Sequence, residues 1–235
     1  SATSKYSDVS AGGVVGGNGG TLTSCYATGS VTATTVTGFA DAGGLVGYNV
    51  GSLTSCYATG AVTATATGED SSAYAGGLVG GNSGTLTSCY ATGAVSATAT
   101  GSDGYASVGG LVGDNWHGDI TSCYATGMVA GDYVTGGLVG RNHGTLTACY
   151  WDLETSGQSS GVGSGDGGGI GLSTAQMKQR ASFAGWDFTT VWTIQEGLTY
   201  PYLRWQDNTA SEVTVPNVVG QTQADATTAI TNAGL

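Results

Sequence analysis

Gly109-Gly110-Leu111-Val112-Gly113-Asp114-Asn115, followed by Thr121-Ser122-Cys123-Tyr124-Ala125-Thr126-Gly127, is the stretch that decides the fold. The first phrase, Gly-Gly-(Val/Leu)-Val-Gly-x-Asn, recurs at 12–18, 43–49, 76–82, 109–115 and 136–142. Each copy leads through a small turn and a Leu or Ile to a Cys-Tyr pair. The closing residues are Asn18, Asn49, Asn82, Asn115 and Asn142, at steps of 31, 33, 33 and 27 residues. Self-similarity at such a period means that supersecondary units stack on one another.

Working outward, each repeat reads as three short strands. These are Gly-Gly-Leu-Val-Gly, the run from Leu or Ile through Cys-Tyr-Ala, and the alternating Val-Thr-Ala-Thr-Ala-Thr stretch at 62–67 and its counterpart at 95–100. The period of two in the last suits a strand with one buried face. No long helical pattern interrupts the repeats. The expected fold is therefore all-β: a right-handed parallel β-helix of about five coils stacked at about 4.8 Å. Leu45, Leu78, Leu111 and Leu138 should form one internal column. Loops of variable length fall at 38–42, 68–75, 101–108 and 131–135, on one side of the solenoid, where binding usually occurs.

Composition agrees with a folded β chain. Gly accounts for 44 of 235 residues, charged residues for 9%, and Pro for only 2. The net charge of −11 reflects 5 basic against 16 acidic residues rather than an acidic tract. Without a basic stripe, nucleic-acid binding has no electrostatic footing. No apolar run is long enough for membrane insertion, and no signal peptide is visible in the chain as given.

The phrases Gly-Gly-Leu-Val-Gly-x-Asn and Cys-Tyr-Ala-Thr-Gly resemble the GLUG-motif repeats of bacterial surface and secreted proteins, over roughly residues 9–150. The resemblance implies a solenoid belonging to large exported proteins, often adhesin-like, at a secreted or cell-surface location in a bacterium. It implies no reaction.

The chain divides on this reading into repeats over 1–149, an aromatic-rich C-terminal cap over 150–206, a linker over 207–214 and a short β-α tail over 215–235. In the cap, Ser173 N-caps one short helix through Ala181 with Phe183 packed behind it. Four of the five Trp lie between 151 and 205. Their expected role is to hide the open end of the core, with a glycan platform of Trp186, Trp192 and Trp205 as the alternative. The segment from Val215 resembles the opening of a PASTA repeat, a strand and then a helix from about Gln223 to Ala233. PASTA modules are often associated with peptidoglycan sensing.

Two columns of side chains are expected to be structural. Asn18, Asn49, Asn82, Asn115 and Asn142 tolerate left-handed corners and can bond amide to amide between coils. Cys25, Cys56, Cys89, Cys123 and Cys149 share one phase of the repeat. In-register stacking would bring them within disulfide range, but parallel side chains meet the disulfide dihedral poorly, so shielded free thiols are expected. His117 and His143 lack zinc spacing. The carboxylates Asp41, Glu69, Asp70, Asp103, Asp114, Asp119 and Asp132 read as solvated turn and loop residues. No catalytic site, cofactor or metal is assigned.

The function expected is a non-enzymatic structural or adhesive β-solenoid that associates with itself end to end through uncovered strand edges, residues 1–11 offering no cover. The alternatives are a module binding cell-wall or host glycans and, further off, a β-helix polysaccharide-degrading enzyme.

Overall fold

The structure is a computed structural model that describes residues 1–207 and 217–232. It is a β-solenoid of about five turns built from parallel, in-register sheets. Each full coil contains five short strands rather than three. In the second coil they are Phe39–Gly43, Val46–Asn49, Ser52–Thr54, Tyr57–Ala58 and Val62–Ala66. We refer to the corresponding stacks as the Ala, Asn, Leu, Tyr and Thr sheets.

Two corners that carry little sequence signal account for the extra strands. The Gly-Gly-Leu phrase is itself a bend, not a strand. A Cβ at Gly77 would stand 2.7 Å from Ala91 Cβ and closer still to the carbonyl of Gly110 in the next coil, so only glycine fits. The second corner divides the Leu–Cys–Tyr run. There Ser24, Ser55, Ser88, Ser122 and Ala148 take left-handed conformations, with φ between 49° and 54°. The segments expected as variable loops are also largely strand: Phe39–Gly43, Ser72–Gly76, Tyr105–Gly109 and Val134–Gly136. Differences in coil length are taken up in the turns just before them.

Register is one residue type upon itself. Val46, Val79, Val112 and Val139 pair down the Asn sheet, and Leu53, Leu86 and Ile120 down the Leu sheet. Corners are bonded between coils too: Leu45 N–H donates to Leu78 O at 2.9 Å and Leu78 N–H to Leu111 O at 2.9 Å. This satisfies backbone groups that a buried bend would otherwise orphan.

The interior has two compartments. Leu45, Leu78, Leu111 and Leu138, all fully buried, pack with the inward Val, Cys and Ala of the Asn, Leu and Tyr sheets. Each such leucine contributes roughly 1.5–3 kcal/mol. Small residues fill the second compartment, between the Thr and Ala sheets: Val62, Ala64 and Ala66 face Ala73 and Ala75. Their alternation with outward Thr, Ser, Asp and Tyr is the two-residue period of a strand buried on one face.

One residue ends the larger compartment. Ala27, Ala58, Ala91 and Ala125 stack in register, and the next place is taken by Trp151. Its ring, 6% exposed, lies against Gly137, Gly161 and Gly171, where a Cβ would come within 2.7 Å of it. Beyond it, Val162–Gly165 extends the Asn sheet and Ile170–Leu172 the Tyr sheet.

Within the expected cap of 150–206, Trp151 and the two strands after it cover the end, whereas the aromatic residues from Phe183 onward lie along the flank. Outward from the Tyr sheet, the rings of Tyr26, Tyr57, Tyr90 and Tyr124 stack with centroids 5.2, 5.0 and 5.0 Å apart. Met177, Phe183, Trp186, Phe188, Trp192 and Leu203 bury themselves against Tyr90, Tyr124 and Tyr150. Trp186 Nε1–H donates to Ala148 O at 2.9 Å, Tyr124 O–H to Pro201 O at 2.6 Å and Trp205 Nε1–H to Ser55 O at 3.0 Å. A stacked column of phenol rings is a large apolar surface, and covering it removes that surface from water. The helix here is shorter than expected, Thr174–Met177, capped by Ser173 with Gln176 completing a capping box.

In the tail, a helix spans Gln223–Asn232. Residues 217–220 contain no strand, 219 and 220 forming a turn, while Val215 and Pro216, like most of the expected linker, lie outside the described residues.

Candidate functional site

The two ladders come first because the repeat creates them. Each ladder Asn stands at the end of its strand, where its amide bonds both the corner and the next coil. Asn18 Nδ2 donates to Asn49 Oδ1 and Asn49 Nδ2 to Asn82 Oδ1, each at 2.8 Å; the chain continues to Asn115 at 2.8 Å and Asn142 at 2.7 Å. The same Nδ2 atoms also reach carbonyls two or three residues on, as from Asn82 to Gly84 at 3.2 Å. Every donor and acceptor is used within the stack, leaving none for a ligand.

All five cysteines are free. Cys25 is half-buried and the other four are buried. Instead of bridging, neighbours exchange backbone-to-sulfur contacts: Cys25 N to Cys56 Sγ at 3.4 Å, Cys56 N to Cys89 Sγ at 3.4 Å and Cys89 N to Cys123 Sγ at 3.3 Å. Burial holds the Cys123 thiol well above its ordinary range.

The three Trp residues that the alternative reading made a glycan platform differ in exposure. Trp192 is fully buried and Trp186 is 8% exposed, their rings stacked on each other at 4.4 Å. Only Trp205 keeps appreciable exposure, and it lies against Tyr26 and Tyr57. Two of the rings have no free face for a sugar.

The site that the structure does present lies between the Ala and Asn sheets. It is a cleft of about 360 Å³ lined by Asp8, Ser10, Phe39, Asp41, Tyr48, Tyr74, Gly81 and Trp116. Asp41 and Asp114, expected as solvated turn residues, are on strands and buried. Asp114 meets Arg141 in the adjacent coil, accepting from Nε at 3.0 Å and, through Oδ2, from Nη2. The guanidinium also lies over the rings of Trp116, Tyr105 and Tyr74, 4.3, 5.4 and 5.8 Å from their centroids. Burial raises the Asp114 carboxyl, opposed by this bond, and the same bond raises Arg141.

Among the described residues Asp41 has no such partner, and only Ser10 Oγ donates to it, at 3.3 Å to Oδ2. Burial pushes its carboxyl from 3.8 up to about 7, with the Ser10 bond opposing and the charges of Asp114 and Asp8 adding to the rise. Phe39-Ala40-Asp41-Ala42 alternates outward and inward, so the place of Asp41 on a strand face was legible. Tyr48, Tyr74 and Trp116 gave no such signal, since sequence alone does not say which outward columns adjoin.

Comparison with known proteins agrees with the repeat reading. The GLUG motif matches residues 7–32, 40–63, 71–96 and 104–130. The copy at 136–142 is outside these matches, as is the tail, so the PASTA resemblance gains no support. Over 123 residues, 48% of this chain, the sequence is 34% identical to halomucin of Haloquadratum walsbyi. Over 74 residues, 28% of this chain, it is 40% identical to a protein of Evansella cellulosilytica described as a Gly-rich membrane protein. The matched parts are 1% and 8% of those proteins, so the chain corresponds to a small piece of either. No solved structure matches the chain.

Proposed function

We propose that this GLUG-repeat solenoid is a non-enzymatic structural segment of a surface or secreted protein, a rigid spacer that also associates end to end. The observation that carries this is the exact repetition of register: five parallel sheets and an unbroken column of amides, each coil needing only another like it. The two relatives named above, a mucin by name and a Gly-rich membrane protein, support a place at the cell surface.

Self-association rests on the strand edges. Ala2–Ser4, Val9–Gly12 and Thr21–Thr23 each have a neighbour on one side only among the described residues. Val129–Gly131, Val134–Gly136 and Thr145–Thr147 are open in the same way at the far end. Unlike ends that pair head to tail give open filaments when the rotation does not close. Light scattering of the 1–235 chain should show mass rising with concentration, and a chain lacking 1–11 and 207–235 should associate differently. A full chain that stays monomeric at high concentration would remove the assembly and leave the spacer.

A further inference from the structure

The cleft between the Ala and Asn sheets opens beside a column whose members differ from coil to coil. Down the outward face of the Asn sheet the in-register residues are Gly17, Tyr48, Gly81, Asp114 and Arg141. At Gly81 the side chain is missing and the Tyr48 ring leans over the position, 2.8 Å from where a Cβ would stand, while the cleft beside it is lined by Tyr48, Tyr74 and Trp116. The same Cβ would stand 3.4 Å from Asp41 Oδ1, which places that oxygen next to Tyr48 on the cleft wall.

Three observations bear on what would fill the cleft. First, Asp41 is 8% exposed, yet among the described residues no hydrogen bond reaches its Oδ1. A buried carboxylate without a cation or a second donor carries a desolvation cost that a bound donor would relieve. Second, the same face shows what relieves it one step along. Arg141 offers a planar guanidinium to the buried Asp114 while lying over Trp116, Tyr105 and Tyr74. Third, the cleft walls repeat that composition, carboxylates beside aromatic faces, and none of the lining residues is basic; the Arg141 guanidinium behind Trp116 and Tyr74 is held by Asp114. Asp8, at the rim, already accepts from Phe39 N–H at 2.8 Å and adds a second negative charge.

We propose that this cleft binds the guanidinium of an arginine side chain presented by a peptide partner, which enters beside Tyr48, donates to Asp41 and lies against Trp116 and Tyr74. The fork of N–H donors fits a carboxylate in a way that a point-charge ammonium does not. Most of the chain's charge is acidic, which draws such a group in from solution. A neutral sugar could use the aromatic walls, but it would leave the buried carboxylate without a counter-charge.

The test is an NMR titration of the full chain with N-acetyl-L-argininamide above neutral pH, alongside its uncharged isostere N-acetyl-L-citrullinamide and the trimer of N-acetylglucosamine. The amides of Asp41 and Gly81 and the Trp116 indole should shift with argininamide and not with the isostere. Asp41→Asn should weaken binding about tenfold or more while keeping the parent's melting temperature or raising it, and Trp116→Ala should weaken it independently. Equal shifts with the citrulline isostere would overturn the proposal. So would binding of the sugar at these residues with argininamide silent, or no shift from any of the three.

Discussion

Asn82 is the middle rung of the amide column, and its loss shows what a rung contributes. Replacing it with Ala removes the bonds from Asn49 and to Asn115 and Gly84 at one stroke. Asn49 Nδ2 and Asn115 Oδ1 would then be left short of partners in a fully buried place. Each unmet group costs about 1–3 kcal/mol, so Asn82→Ala should destabilise the chain by about 2–4 kcal/mol in urea unfolding. Asp41 makes the opposite prediction. Its carboxyl holds a proton more tightly folded than unfolded, so its contribution to stability is greatest in acid. That contribution declines as pH rises from 3.8 toward about 7, and levels off above. Asp41→Asn should remove this slope and leave the variant more stable than the parent above pH 7, by about 4 kcal/mol at most. Comparing the two proteins across pH isolates Asp41, because the raised Asp114 is common to both.

At the scale of the element, the flank segment works through the tyrosines it covers. Burial raises the phenol of Tyr90 to about 12, with the Gln206 bond opposing, and Trp192 is one of the rings above it, at 6.2 Å. Trp192→Ala should cost about 3–5 kcal/mol. It should also bring the Tyr90 titration back toward 10, read by NMR of ring-labelled tyrosine, while the β signal of the coils persists. Here sequence and structure part company for a definite reason. The Val-Thr-Ala alternation, the Leu column and the Asn column could be read from the chain, because each is a period along one strand or one repeat. The corner at Ser55 could not: a serine with φ of 52° carries no glycine to mark it, so two strands were read as one. Nor could the lie of the aromatic segment. Its rings are plainly apolar in sequence, but whether they meet the end or the side depends on Tyr26, Tyr57, Tyr90 and Tyr124 aligning outward. The cleft was hidden similarly, since Asp41, Gly81 and Trp116 come from three coils, the first two from different sheets and Trp116 from a bend.

For the whole molecule, the thiols report whether all coils are closed at once. Cys25 in the first coil is half-buried, and Cys56, Cys89, Cys123 and Cys149 are buried. An alkylating reagent should therefore modify Cys25 in the native protein and the other four only after denaturation, as counted by intact mass. Native mass that rises by four hydrogens on reduction would instead establish two bridges between coils. The flank segment, fastened at Ala148, at Tyr124 and as far back as Ser55, has a mechanical consequence. Pulled by its two ends, a bare stack would peel one coil at a time, because each interface bears the load alone. A lashing across several coils makes them share the tension. Force-extension traces should show the first coil detaching by itself, followed by a single larger rupture as the coils bound together by the aromatic strap let go.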